Sequence, residues 1–226
     1  MARFRYGCPY FYGGYNENIL LKVYRTWQNS HYYLMSNRYL GGFDCIGFAR
    51  WVHTTAGDAT LPAISKVRAE GRNNLVDVSS LPYEEWQNVL LAGDCVNIAY
   101  SGGGYHIGIY IGTLREFGFT AEDVGESLVP YLDHPLIIHC GMNNFHTAWY
   151  AKYLSENGLT SVTPPDGGVT ISVMGVDYEN CPYTETMWQG TANVKTFYWF
   201  DLMGYNLTVI NPIGSNVRWM AVYRSK

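Results

Sequence analysis

Five cysteines punctuate the sequence, Cys8, Cys45, Cys95, Cys140 and Cys181, and one of them stands where a thiol becomes a nucleophile. A thiolate needs stabilisation, and the first turn of a helix offers unpaired N–H groups and a positive dipole end. Cys45 follows Asp44, a strong N-cap type, and opens a stretch in which Ile46, Ala49, Val52 and His53 recur near helical spacing; a helix is expected from Cys45, closed by Gly57. A nucleophilic cysteine also needs a histidine as general base, brought beside it by the fold. His106 suits that role. On a strand over 105–111, Ile107, Ile109 and Ile111 share one face, while His106, Gly108 and Tyr110 share the other, the glycine leaving space for a neighbour. A third group should accept the other imidazole N–H and fix its tautomer, and His139, at the end of an apolar run, is the candidate.

Other chemistries fit less well. No C-x-x-C pair is present, which removes zinc knuckles and thioredoxin-like motifs, and an odd cysteine count leaves at least one thiol free. Zinc held by Cys45, His106, His139 and Cys140 is disfavoured because adjacent strand residues point to opposite faces. Cys8, Cys95, Cys140 and Cys181 read as core thiols, Cys140 being next to His139 in the chain; His31, His53, His134 and His146 read as structural or surface groups.

The elements that must position these residues follow from periodicity and turn residues. A helical stretch is expected from Glu17 to about Ser36, then a break at Gly41-Gly42 and the cysteine helix. A short helix is expected around 83–91. Two alternating runs, 94–100 and 105–111, joined by Ser101-Gly102-Gly103-Gly104, read as a β-hairpin. A polar interlude over 113–133 leads to a strand at 136–140, then a helix over 145–157. The tail is β-rich, with strands expected at 168–176, 196–202, 205–210 and 217–223.

In this order the sequence carries Pro9-Tyr10-Phe11-Tyr12-Gly13-Gly14, Phe43-Asp44-Cys45-Ile46-Gly47-Phe48, Gly93-Asp94, His106-Ile107-Gly108-Ile109-Tyr110-Ile111-Gly112 and Ile138-His139. Each piece alone is weakly specific. The ordered set, spanning about Gly7 to Gly141, resembles the NlpC family of papain-like cysteine peptidases, which cut bacterial cell-wall peptides. The resemblance implies an α+β papain-like fold, an N-terminal helical part packed on an antiparallel β-sheet or barrel. It implies Cys45 as nucleophile, His106 as base and then acid, and His139 as orienting residue. Tyr10 matches the family tyrosine near the nucleophile that helps to bind substrate or the oxyanion, and Asp44 the aspartate beside the cysteine, a cap or substrate contact. The expected substrate is a peptidoglycan stem peptide, cut after D-glutamate at the γ-D-glutamyl bond to the diamino acid, with no cofactor and no metal.

Three departures stand against the pattern. Ile46 replaces the family's serine, the segment 15–42 replaces a short loop, and the interval 113–135 and the tail after about 142 exceed the compact family pattern, as groove-building additions to a single catalytic domain over 1–226. They keep two alternatives open: an amidase or acyl-transferring relative of the same fold, and a non-catalytic cell-wall-binding module using its aromatic surface.

Composition bounds the rest. Only 15% of the 226 residues are charged, against roughly 25% in ordinary soluble domains, while 47% are hydrophobic and 16% aromatic, which excludes the disordered regime. A net charge of −4 argues against nucleic-acid or anionic-membrane partners, which call for a concentrated basic face. Apolar runs all fall short of the roughly 18 residues of a membrane span. The start, Met1-Ala2-Arg3-Phe4-Arg5, has no apolar signal region, so action at the wall implies separate export, a larger exported protein or phage encoding.

Overall fold

Helix α1 spans Cys45–Thr55 and begins where the sequence places it. Asp44 is the N-cap in extended conformation, its Oδ1 accepting the Gly47 N–H at 2.7 Å. Such a cap is worth about 1 kcal/mol, because it satisfies one of the four donors that a helix start leaves without partners. Beyond the helix, Gly57 takes φ +86°, a left-handed turn that stops it. The structure, a computed structural model, describes residues 15–16, 34–35, 38–39, 42–57, 75–78, 80–100, 104–124, 126, 128–142, 151–152, 154–158, 167–176, 194–202, 205–210 and 217–224.

Four two-residue strands precede or flank α1: β1 (Tyr15–Asn16), β2 (Leu34–Met35), β3 (Arg38–Tyr39) and β4 (Gly42–Phe43). β1 and β4 pair antiparallel, Tyr15 opposite Phe43 and Asn16 opposite Gly42, so the segment 15–42 leaves and returns at one point immediately before the cysteine helix. The helix expected to reach Ser36 gives way at its end to the β2–β3 pair; the rest of it lies outside the described residues.

After α1 come β5 (Leu75–Val76), a 3-10 turn over Tyr83–Asn88, β6 (Cys95–Tyr100), β7 (Tyr105–Gly112), a four-residue helix α2 (Ala121–Val124), a second 3-10 turn (Val129–Tyr131), β8 (Leu136–Met142), β9 (Gly167–Met174), β10 (Val194–Leu202), β11 (Tyr205–Ile210) and β12 (Val217–Tyr223). The last eight strands other than β1–β4 form one sheet in the order β10-β11-β9-β8-β7-β6-β12-β5. All its pairings are antiparallel except β9 with β11, a departure from the fully antiparallel sheet expected. β7 thus lies inside the sheet, between β6 and β8, and the C-terminal strands extend the same sheet on both sides.

The alternation of β7 builds two cores. Ile107 and Ile109 face α1 and pack with Phe43, Phe48 and Ala49, Ile111 lying against the same cluster; Tyr110 faces the other way, with Ile98, Ile137, Trp86 and Met174. Each fully buried aliphatic or aromatic side chain adds roughly 1.5–3 kcal/mol of burial. A sheet covered on both faces has no solvent-facing positions, and all eight residues of β9 are buried accordingly, Thr170 and Ser172 among them.

Two expectations change here. The interval 113–133 is no polar interlude: Leu114, Val124, Leu128 and Leu132 are buried in the α1-side core, so this excursion covers the sheet. The helix expected around 83–91 is a 3-10 turn over Tyr83–Asn88, in which Trp86 anchors the opposite core. The Gly93-Asp94 pair also acquires a physical role. Gly93 takes φ +108°, and the buried Asp94 carboxylate accepts the Leu91 N–H at 2.8 Å and both arms of Arg224, at 2.9 and 2.6 Å, tying the chain end beyond β12 to the start of β6. Arg224 also donates to the Val89 carbonyl at 2.7 Å.

Candidate active site

Cys45 opens α1 on one face of the sheet, while His106 shares the opposite face with its cross-strand neighbour Ile98. What links them is the β7 backbone, at the place where β7 and β8 part. The β7–β8 register runs from Gly112 opposite Leu136 to Ile109 opposite Ile138. Further toward the start of β7, the Cys45 Sγ donates to the Tyr105 carbonyl at 3.9 Å, a long contact, and the Ile107 N–H faces the sulfur. Both backbone groups are immediate neighbours of His106 in the chain.

His106 and His139 are brought into direct contact. His106 Nε2 lies 2.8 Å from His139 Nδ1, the rings meeting edge to face with centroids 4.7 Å apart. His139 Nε2 in turn lies 2.7 Å from the Ser172 Oγ on β9. Two glycines make room for this stack. A Cβ on Gly141 would sit 3.1 Å from both Cε1 and Nδ1 of His139 and 4.0 Å from the His106 ring; one on Gly108 would meet Ile137 Cδ1 at 2.9 Å and His139 Cβ at 3.4 Å. With Nε2 engaged by His139, Nδ1 is the remaining ring nitrogen of His106.

Burial dominates the electrostatics. It pushes the Cys45 thiol up to about 11, with the Asp44 charge adding to it; the backbone N–H groups of Ile107, Ile46 and Cys45 pull the other way. Burial likewise lowers His106 to about 4, and holds His139 well below the usual histidine range, with His106 beside it adding to the effect. At neutral pH the resting groups are therefore a thiol and two neutral imidazoles. Such a site moves its proton during attack on a substrate, since a standing thiolate–imidazolium pair is disfavoured without one.

The other expected residues divide. Asp44 is the helix cap, and Tyr10 lies outside the described residues, as do His31, His146, Cys8 and Cys181. Cys95 and Cys140 are buried, Cys140 donating to the Phe43 carbonyl at 3.2 Å. His53 is buried in the last turn of α1, its Nε2 3.1 Å from the Cys95 Sγ, and His134 Nδ1 lies 2.8 Å from the Met174 carbonyl. Two residues at the site escape the sequence reading. Ser172 is one serine within an apolar strand, and Tyr100, at the end of β6, has its hydroxyl pushed up to about 12 by burial and then by the Cys45 charge. Hairpin register alone could have drawn attention to Tyr100; nothing local marks Ser172. Among the described residues no group of His, Cys, Asp or Glu has the arrangement of a metal site.

A helix that opens with a cysteine and packs on a largely antiparallel sheet carrying a histidine pair is the papain-like arrangement. The NlpC/P60 family profile matches residues 7–129, more than half of the chain, so the protein belongs to the NlpC/P60 family. Members of this family are in general cysteine peptidases acting on the cell wall. The matched span contains Cys45 and His106 and ends before His139 and Ser172. No curated protein and no solved structure was found to match the chain.

Proposed function

We propose that this chain is a cysteine peptidase that hydrolyses peptidoglycan stem peptides, at the γ-D-glutamyl bond to the diamino acid, with Cys45, His106 and His139 as its working groups. The observation that carries the reading is the 2.8 Å contact between His106 and His139, set beside the β7 backbone on which the Cys45 sulfur rests.

The reaction follows from those positions. As the sulfur attacks the scissile carbonyl carbon, the thiol proton passes to His106 Nδ1, and the imidazolium donates its Nε2–H to His139 Nδ1. The tetrahedral oxyanion forms beside the start of α1 with the Cys45 N–H as one donor, and the motif around Tyr10 assigns that hydroxyl, by resemblance to the family, as the other. Collapse expels the amine, which takes the proton from Nδ1, and leaves a thioester on Cys45. His106 then deprotonates water, which attacks the thioester carbonyl; the released carboxyl product carries the oxygen, and the sulfur recovers its proton. Asp44 holds the helix start and lines the substrate side. The wall substrate places the working site outside the cytoplasm; among the described residues no helix is long and apolar enough to cross a membrane.

The test is incubation with purified muropeptides of defined stem length, read by mass spectrometry, beside Cys45→Ala. Cleavage at the γ-D-glutamyl bond by the wild type and none by the variant is the expected result. Identical product spectra for both, or intact stem peptides throughout, would overturn it. Transfer of the acyl group to an added amine, with little free acid, would instead identify an acyl-transferring enzyme.

A further inference from the structure

The third group in a cysteine–histidine site needs to accept the N–H of the base, and a carboxylate or amide oxygen does so by its nature. A neutral imidazole does not, because either ring nitrogen can carry its proton. If His139 were protonated on Nδ1, it would donate to His106 Nε2, His106 would carry its own proton on Nδ1, and no lone pair would face the thiol. The working direction requires the proton of His139 on Nε2. That N–H is buried, and a buried donor without an acceptor costs about 1–3 kcal/mol.

The Ser172 Oγ stands 2.7 Å from that nitrogen, fully buried. Its strand position is set by the β8–β9 register, in which Ser172 is opposite Ile137 and Thr170 opposite His139. The hydroxyl of Thr170, although directly across the ladder, has no hydrogen-bond partner among the described residues, so the histidine has selected one of two nearby hydroxyls. We propose that Ser172 is a positioning residue whose oxygen accepts the His139 Nε2–H, allowing His139 to carry its proton there and so to turn the His106 lone pair toward Cys45, extending the hydrogen-bonded line from β7 across β8 to β9. As His106 becomes imidazolium, His139 is polarised and its Nε2–H sharpens as a donor; the serine oxygen is where that charge is met. Without Ser172 the orphaned N–H is disfavoured, and the pair relaxes toward the reversed direction, in which His106 cannot take the thiol proton.

This role rests on the proposed peptidase site, but its primary readout does not. Nitrogen-15 NMR of the histidine rings in the full chain reports which nitrogen bears hydrogen. The wild type is expected to show His139 protonated on Nε2 and unprotonated on Nδ1. Ser172→Ala and Ser172→Val should mix or reverse that pattern and lower kcat on muropeptides by roughly 10–100-fold with KM little changed, the loss typical of a group that orients a working ligand or base. Ser172→Thr, which matches valine in shape and restores the hydroxyl, should recover both, and Thr170→Val should leave both as in the wild type. Should the alanine variant fail to fold, the threonine and valine pair decides the matter. An unchanged His139 ring pattern in the valine variant, or equal kcat for valine and threonine, overturns the proposal. A shifted ring pattern in a chain that cuts no muropeptide leaves the serine's role standing and defeats the peptidase reading alone.

Discussion

At the scale of single residues, the site is governed by desolvation and by two missing methyl groups. Because burial lowers His106 to about 4 and raises Cys45 to about 11, the groups stay in their neutral forms across the whole interval between. The kcat/KM profile on a muropeptide is therefore expected to keep its acid limb near pH 4, far below an ordinary histidine, and to stay flat through neutrality; an acid limb near 6.5 would contradict this. Gly141 gives a steric counterpart. Its backbone tolerates alanine, but the new Cβ would press on the His139 ring at 3.1 Å. Gly141→Ala should lower kcat by on the order of tenfold or more while the melting temperature moves little, since an ångström of misplacement at the working groups is costly. Steady-state kinetics beside a thermal melt separates the two effects. The proposed site residues Cys45, His106 and His139 are named by residue type and motif, whereas Ser172 is not: one serine between Ile171 and Val173 carries no sign of what lies across from it.

Individual elements show how local chemistry sets up the site. Asp44 caps α1 and at the same time holds a negative charge beside the thiol. Asp44→Ala is expected to destabilise the fold by about 1 kcal/mol through the lost cap, yet to speed alkylation of Cys45 at neutral pH, because the repelling charge is gone and the thiolate becomes easier to form. Calorimetry and iodoacetamide kinetics read these opposite effects on one variant; slower alkylation would show that the cap matters more to the sulfur than the charge does. The helix itself was legible because N-cap, periodicity and terminating glycine agree. The β6–β7 hairpin was legible for a similar reason, its two alternating runs flanking a glycine turn. The interval 113–135 was not, since its three buried leucines and one valine are spaced by turn residues and acquire meaning only when they close over the α1-side core.

For the whole molecule, the chain end and the acid response both follow from what the sheet buries. The Asp94 carboxylate is almost wholly buried, at 3% exposure, and Arg224 reaches it from beyond β12. Arg224→Ala strips its two strongest donors and should cost on the order of 2 kcal/mol, less than for a fully enclosed pair because the arginine is itself one-third open to solvent; chemical denaturation measures it. His106 and His139 are held neutral in the fold, and the unfolded chain, with histidines near 6.5, binds more protons below that pH. Stability should therefore fall as pH drops below 6.5, the His106 share of the loss continuing to about 4. Melting temperatures from pH 7 to 4 are expected to decline, more steeply than in a His139→Asn variant. A flat response would mean that the pair is already charged or solvated in the fold. What the sequence determined by itself is what local patterns encode: the capped cysteine helix, the hairpin with its histidine, the order of the motifs and with them the family. Tertiary structure alone decided that β7 and β8 part beside Cys45, that a β9 serine stands behind His139, and that β9 and β11 run parallel. Each of those depends on register between segments distant in the chain, and register is set by mutual burial of faces, which no stretch of sequence carries alone.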